Sequence, residues 1–85
     1  MIEEKKIGKI FAYFEKIGVA ALQITDDYIE IGEKAHFKGP NTDFEQEIES
    51  MQIDKKDVDY VEAGKSVGMQ ISQKVEKGDE VYKAL

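Results

Sequence analysis

The sequence has no cysteine, no tryptophan and no arginine, and holds a single proline and a single histidine among its 85 residues. Without cysteine there is neither a disulfide nor a thiolate metal site, so packing and strand pairing must hold the fold. Without arginine all twelve cations are lysines, and the planar fork that grips phosphate or guanine edges bidentately is missing. Eighteen acidic residues set the net charge at −6. An acidic, arginine-free domain is poorly suited to autonomous nucleic-acid binding, which rests on phosphate neutralisation. No apolar run approaches the roughly 18 residues of a membrane span, and residues 3–6 are all charged. These features predict a cytoplasmic protein without membrane contact, one domain over residues 1–85.

What is present is alternation. Val67, Met69 and Ile71 share one parity, and Ser66, Gly68, Gln70 and Ser72 the other, behind a turn at Gly64. Period-two patterning with glycine at the entry and inside marks a curved, half-buried strand. Gly64 is expected at positive φ, and Gly68 where strands cross closely. Similar runs occupy residues 6–14, 19–25, 35–37, 43–53 and 80–84, separated by turn signals at Gly18, Asp26-Asp27, Gly39-Pro40-Asn41, Asp54 to Asp57 and Lys77-Gly78-Asp79. Within 43–53 the apolar set changes parity between Ile48 and Met51, which predicts a β-bulge near Glu49-Ser50. Short strands at about ten-residue spacing predict an all-β fold, a small closed or nearly closed antiparallel barrel of six to seven strands, Greek-key-like.

Five short motifs in order carry a resemblance. Gly8-x-Ile10, Ile31-Gly32-Glu33-Lys34-Ala35, Ile48-Glu49-Ser50-Met51-Gln52, Ala63-Gly64-Lys65-Ser66-Val67-Gly68-Met69 and Lys77-Gly78-Asp79-Glu80-Val81 are similar to domain 2 of translational GTPases such as elongation factor Tu, and to stand-alone elongation factor-like barrel proteins. The stretch Phe37-Lys38-Gly39-Pro40, with Asp43 to Met51, resembles the C-terminal barrel of the collagenase-like peptidase family, some of whose members modify RNA. Both resemblances imply an accessory domain of translation-protein type and not a catalytic one. The first also places Gln52 in the strand that helps hold the aminoacylated tRNA end.

Catalytic and cofactor chemistry is not written in the residues. Gly64-Lys65-Ser66 ends a phosphate loop, but the leading glycine is absent at the required position, which argues against nucleotide binding and hydrolysis. His36 has no co-ligand or nucleophile near it in sequence, and reads as a partly exposed strand residue. Asp54, Asp57 and Asp59 lack the glycine and terminal glutamate of a calcium loop. Glu45, Glu47 and Glu49 read as a solvated row on one strand face that discourages edge-to-edge pairing. No catalytic residue, metal or cofactor is therefore expected. Most of the eight aromatic residues should fill the interior, but Tyr13 and Phe14 are adjacent, so one of the pair must face outward and could anchor an interface. The expectation is a non-catalytic binding or adaptor module that docks on a protein partner in translation or RNA modification. Its candidate contacts are Tyr13, Phe14 and Gln52. The alternative is a barrel that binds RNA directly, either a tRNA end or ribosomal RNA.

Overall fold

A computed structural model describes residues 3–84. These residues are all-β, with ten strands and no helix. The strands are β1 (Glu4–Phe14), β2 (Val19–Ile24), β3 (Tyr28–Glu30), β4 (Lys34–Gly39), β5 (Thr42–Glu47), β6 (Met51–Ile53), β7 (Lys56–Val58), β8 (Tyr60–Glu62), β9 (Ser66–Gln70) and β10 (Glu80–Ala84). Ten strands replace the expected six to seven because four of them, β3 and β6 to β8, are only three residues long. Eight form one antiparallel sheet in the order β5-β4-β10-β1-β2-β9-β6-β7, and β3 pairs with β8. No helix among the described residues is long and apolar enough to cross a membrane.

Alternation decides the inside. Ala20, Leu22 and Ile24 of β2, Val67 and Met69 of β9, Ala35 and Phe37 of β4, and Val81 of β10 are all buried. Each fully buried Val, Leu, Ile, Met or Phe side chain contributes roughly 1.5–3 kcal/mol. The interior is mainly aliphatic, contrary to expectation. Of the aromatics only Phe37 and Phe44 are buried, and they stack with ring centroids 4.9 Å apart. Lys83 also points inward but is not left unpaired. Its ammonium donates to the Tyr28 carbonyl at 2.8 Å, lies 3.4 Å from Glu33 and 3.7 Å from Asp27, and sits over the Tyr28 ring.

The parity change after Ile48 is a break and not a bulge. Residues 48–50 leave the ladder, and the chain crosses from β5 at one sheet edge to β6 near the other. Buried Ile48 anchors this crossing: its N–H donates to the Glu33 carbonyl, and its own carbonyl accepts from Gly32 N–H. The bulges lie in β1, where register shifts fall between Lys6 and Gly8 against β10, and between Ile10 and Ala12 against β2. An eleven-residue strand shared by two neighbours in a curved sheet needs such irregularities to bend. The supposed polar loop 54–57 is a tight hairpin. Asp54 and Lys55, at φ 52° and 65°, form its two-residue turn, and Ile53 pairs with Lys56.

The backbone ladder does not close on itself, since β5 and β7 remain its two edges. At the β5 edge the Gln46 side chain bridges part of the gap. Its amide donates to the Gln70 carbonyl at 2.9 Å, and its oxygen accepts from Ser72 N–H at 2.8 Å. Gly64 has φ 95°, as its turn position requires. Gly68 is not a close crossing: a Cβ there would lie 3.6 Å from Val19 Cγ1, an ordinary contact.

Candidate functional site

The outer face of the sheet divides into two halves of different chemistry. On β1, β2, β9 and β6, cross-strand pairing lines up Ala12, Ala21, Gly68 and Gln52 in one row, and Phe14, Val19 and Gln70 in the next. Side chains opposite one another in a ladder share a face, so small and apolar groups form the centre of this half of the wall, flanked by Gln52, Gln70 and the row Lys9, Gln23 and Ser66. Phe14 is 51% exposed, whereas Tyr13, opposite buried Ala20, packs against the core. The adjacent pair thus resolves with Phe14 outward. Phe11, displaced at the second β1 irregularity, and Ile17 in the following turn are exposed as well. Gln52 lies on the outer face and is tied into the wall, its amide donating to Asp57 Oδ1 at 3.0 Å.

The other half, on β1, β10, β4 and β5, is charged and internally satisfied. His36 lies between two carboxylates, with Nδ1 at 2.6 Å from Glu4 Oε2 and Nε2 at 2.6 Å from Asp43 Oδ1. Ionised carboxylates only accept, so between two of them the ring is held by two donated bonds in its imidazolium form, which this arrangement favours. Burial disfavours that charge, but the hydrogen bonds to Asp43 and Glu4 outweigh it and raise the His36 pKa. Glu4 is lowered, first by its bond from Lys38 at 2.8 Å and then by His36. Lys38 is raised by the same pair and also lies over the Tyr82 ring. Beside them Lys6 donates to Glu80 at 2.7 Å, raising Lys6 and lowering Glu80, and Tyr82 donates its hydroxyl to Glu80.

Glu4, His36 and Glu45 offer three possible metal-ligand atoms within 4.8 Å of one another. The donor set does not fit a cation. A metal needs a ring lone pair, whereas this arrangement favours a doubly protonated ring between Glu4 and Asp43, with the Lys38 ammonium on the same Glu4. The cluster is an ion-pair clasp joining β1, β4 and β5. Sequence reading saw a lone histidine and missed it. A two-residue Pro40-Asn41 loop fixes His36 opposite Glu45 and diagonal to Asp43, so that part was within reach of the turn signal. Glu4 was not, because its approach depends on β10 lying between β1 and β4. The expected carboxylate row is also shorter. Glu45 and Glu47 stay on β5, whereas Glu49 leaves with the crossing segment.

No protein-family model matches the chain. Over 78 residues it is 33% identical to an uncharacterized protease of Methanocaldococcus jannaschii, covering 91% of this chain and 19% of that protein. It is 27% identical over 78 residues to a collagenase of Porphyromonas gingivalis, of which it covers 22%. The chain therefore spans about a fifth of the length of these curated relatives. Among solved structures it matches the C-terminal domain of a putative U32 peptidase from Geobacillus thermoleovorans, with a TM-score of 0.83 at 20% identity, covering 91% of this chain and 89% of that one. The selenomethionine variant of the same domain gives a TM-score of 0.84 at 19% identity. None of these proteins is named as a translation factor. In fold the chain is similar to the C-terminal domain of a putative U32 peptidase, and in sequence to about a fifth of an uncharacterized protease and of a collagenase.

Proposed function

We propose that the chain is a non-catalytic binding module, a nearly closed barrel that docks on a protein partner through the outer wall of β1, β2 and β9. One observation carries this reading: half-exposed Phe14 stands beside Val19 next to a floor of small residues, Ala12, Ala21 and Gly68. These residues carry no charge themselves, and aromatic residues of this kind commonly anchor interfaces. Catalysis is assigned to other parts of the protein in which the module works. The one histidine is held as an imidazolium between carboxylates and offers no general base. The names of the longer relatives, protease and collagenase, favour a peptidase-type protein as the setting. A setting in translation or RNA modification rests on the motif resemblance alone.

The competing ligand is RNA, a tRNA end or ribosomal RNA. The test is a retardation assay with tRNA over a range of salt. The docking reading expects no retained complex at about 150 mM salt, since an arginine-free chain of net charge −6 is poorly suited to phosphate contacts. Submicromolar tRNA binding, with log affinity falling linearly with log salt, would replace the protein partner with RNA.

A further inference from the structure

A second surface lies away from the Phe14 wall, where the crossing segment 48–50 meets β7 and the start of β8. It is an open groove of about 690 Å³. Its floor is apolar, formed by Ile31, Met51, Val58 and Tyr60. Its polar lining is Ser50 with three carboxylates, Glu49, Asp57 and Asp59, and no lysine lines it. None of the three carboxylates forms an ion pair with a described residue. The only side-chain hydrogen bond that engages one of them is Gln52 to Asp57.

Tyr60 is the distinctive member. It is 49% exposed, and one face of its ring stacks on Tyr28 with centroids 5.3 Å apart and planes 24° from parallel. The Lys83 ammonium lies 3.6 Å from the centre of the Tyr28 ring. Tyr60 is thus held on one face by this stack, and its half-exposed side chain lines the groove. Along the same rim β7 is an unpaired sheet edge, able to add an extended strand through its backbone.

We propose that this groove binds an extended peptide segment bearing lysine or arginine. The carboxylates supply charge complementarity, the half-exposed ring of Tyr60 a cation–π contact, Ile31 and Val58 a seat for alternate apolar side chains, and the β7 edge the backbone pairing. An anionic or purely apolar segment would leave three carboxylates facing it unpaired.

The probe is a fluorescein-labelled, end-blocked octapeptide of alternating lysine and valine, titrated by anisotropy against the whole chain, with alternating glutamate and valine as the negative peptide. A chain of net charge −6 attracts any polycation, so the decisive comparison holds charge constant. The groove variant E49Q/D57N/D59N is set against a control, E15Q/D26N/E45Q, that removes the same charge from exposed positions outside the groove. The expected result is a loss of about tenfold in affinity for the groove variant, a much smaller loss for the control, and a comparable loss for Tyr60→Ala. Amide shifts in the wild-type spectrum should concentrate on Ile31, on residues 49–51 and on residues 57–60. The carboxylate substitutions are isosteric and on exposed residues, and an unchanged thermal midpoint verifies the fold of each variant. Equal losses in both triple variants, shifts spread over the whole acidic surface, or no binding of the lysine peptide would overturn the proposal.

Discussion

Gly39 and Asp79 are coupled through a contact that only glycine permits. Gly39 is not in the left-handed region, so alanine meets no backbone strain there. The obstacle is steric, because an added Cβ would lie 2.0 Å from Asp79 Oδ1 and 2.6 Å from its Cγ. Asp79 cannot simply swing away. It is 1% exposed, and its Oδ2 accepts from the Thr42 hydroxyl and, at 2.8 Å, from Glu76 N–H. Hydrogen bonds to a charged group contribute about 1.5–3 kcal/mol each, and Thr42 is itself buried. Displacing the carboxylate therefore costs roughly 2–4 kcal/mol, against a total stability of about 4–13 kcal/mol for a chain this long. Asp79→Ala loses the same two bonds and also removes the clash. The double variant G39A/D79A should be about as stable as D79A alone, giving a coupling energy of roughly 2–3 kcal/mol. Urea denaturation followed by ellipticity measures this. With a slope of about 1 kcal/mol per molar, each single variant lowers the midpoint by roughly 2–4 M and the second substitution adds little. Additive losses, or an unchanged midpoint for Gly39→Ala, would refute the reasoning.

The His36 clasp predicts a pH dependence. His36 has a raised pKa, so its stabilisation is complete below the ordinary value of 6.5 and is lost as pH rises through the raised value. Glu4 is lowered, so its share is present above 4.5 and is lost as pH falls through the lowered value. The difference in thermal midpoint between wild type and His36→Gln should therefore peak between pH 4.5 and 6.5 and shrink in alkali; a flat difference would sink the clasp. Gly64→Val should destabilise by more than about 1 kcal/mol, purely through its dihedral, since no atom lies within 4 Å of the added Cβ. An unmoved denaturation midpoint would contradict that. Calorimetry with GTP and magnesium should show no stoichiometric site, because Gly64-Lys65-Ser66 lacks the leading glycine of a phosphate loop.

Local rules made much of the fold legible. The turns at Gly18, Asp27, Gly64 and Gly78 all take positive φ, and the inward set Val67, Met69 and Ile71 is buried as its parity demanded. Reading failed where a local pattern had two structural causes. A parity change can mark a bulge or a break, and at residues 48–50 it marks a break because the chain changes sheet edge. Phe11 is pushed outward by an irregularity in β1 that leaves no signal in an unbroken β pattern. The clasp and the groove were illegible for a topological reason. Glu4 meets His36 across an intervening strand, and Ile31 meets residues 49–60 only because β3 pairs with β8. Of the adjacent aromatic pair, sequence established that one must face outward, and pairing of Tyr13 with buried Ala20 decided which.

Docking through the Phe14 wall is tested most directly by comparing immobilised wild-type chain with Phe14→Ala and His36→Gln for the proteins each retains from native lysate. Affinity is then measured for any partner found. Phe14 carries a half-exposed ring with no role in the core, so its removal should leave the thermal midpoint unchanged and weaken the partner by roughly 1–2 kcal/mol, about tenfold. His36→Gln, on the charged half of the sheet, should retain the partner as wild type does. Equal retention by wild type and Phe14→Ala, or tRNA bound in the submicromolar range at about 150 mM salt with no protein partner recovered, would contradict it.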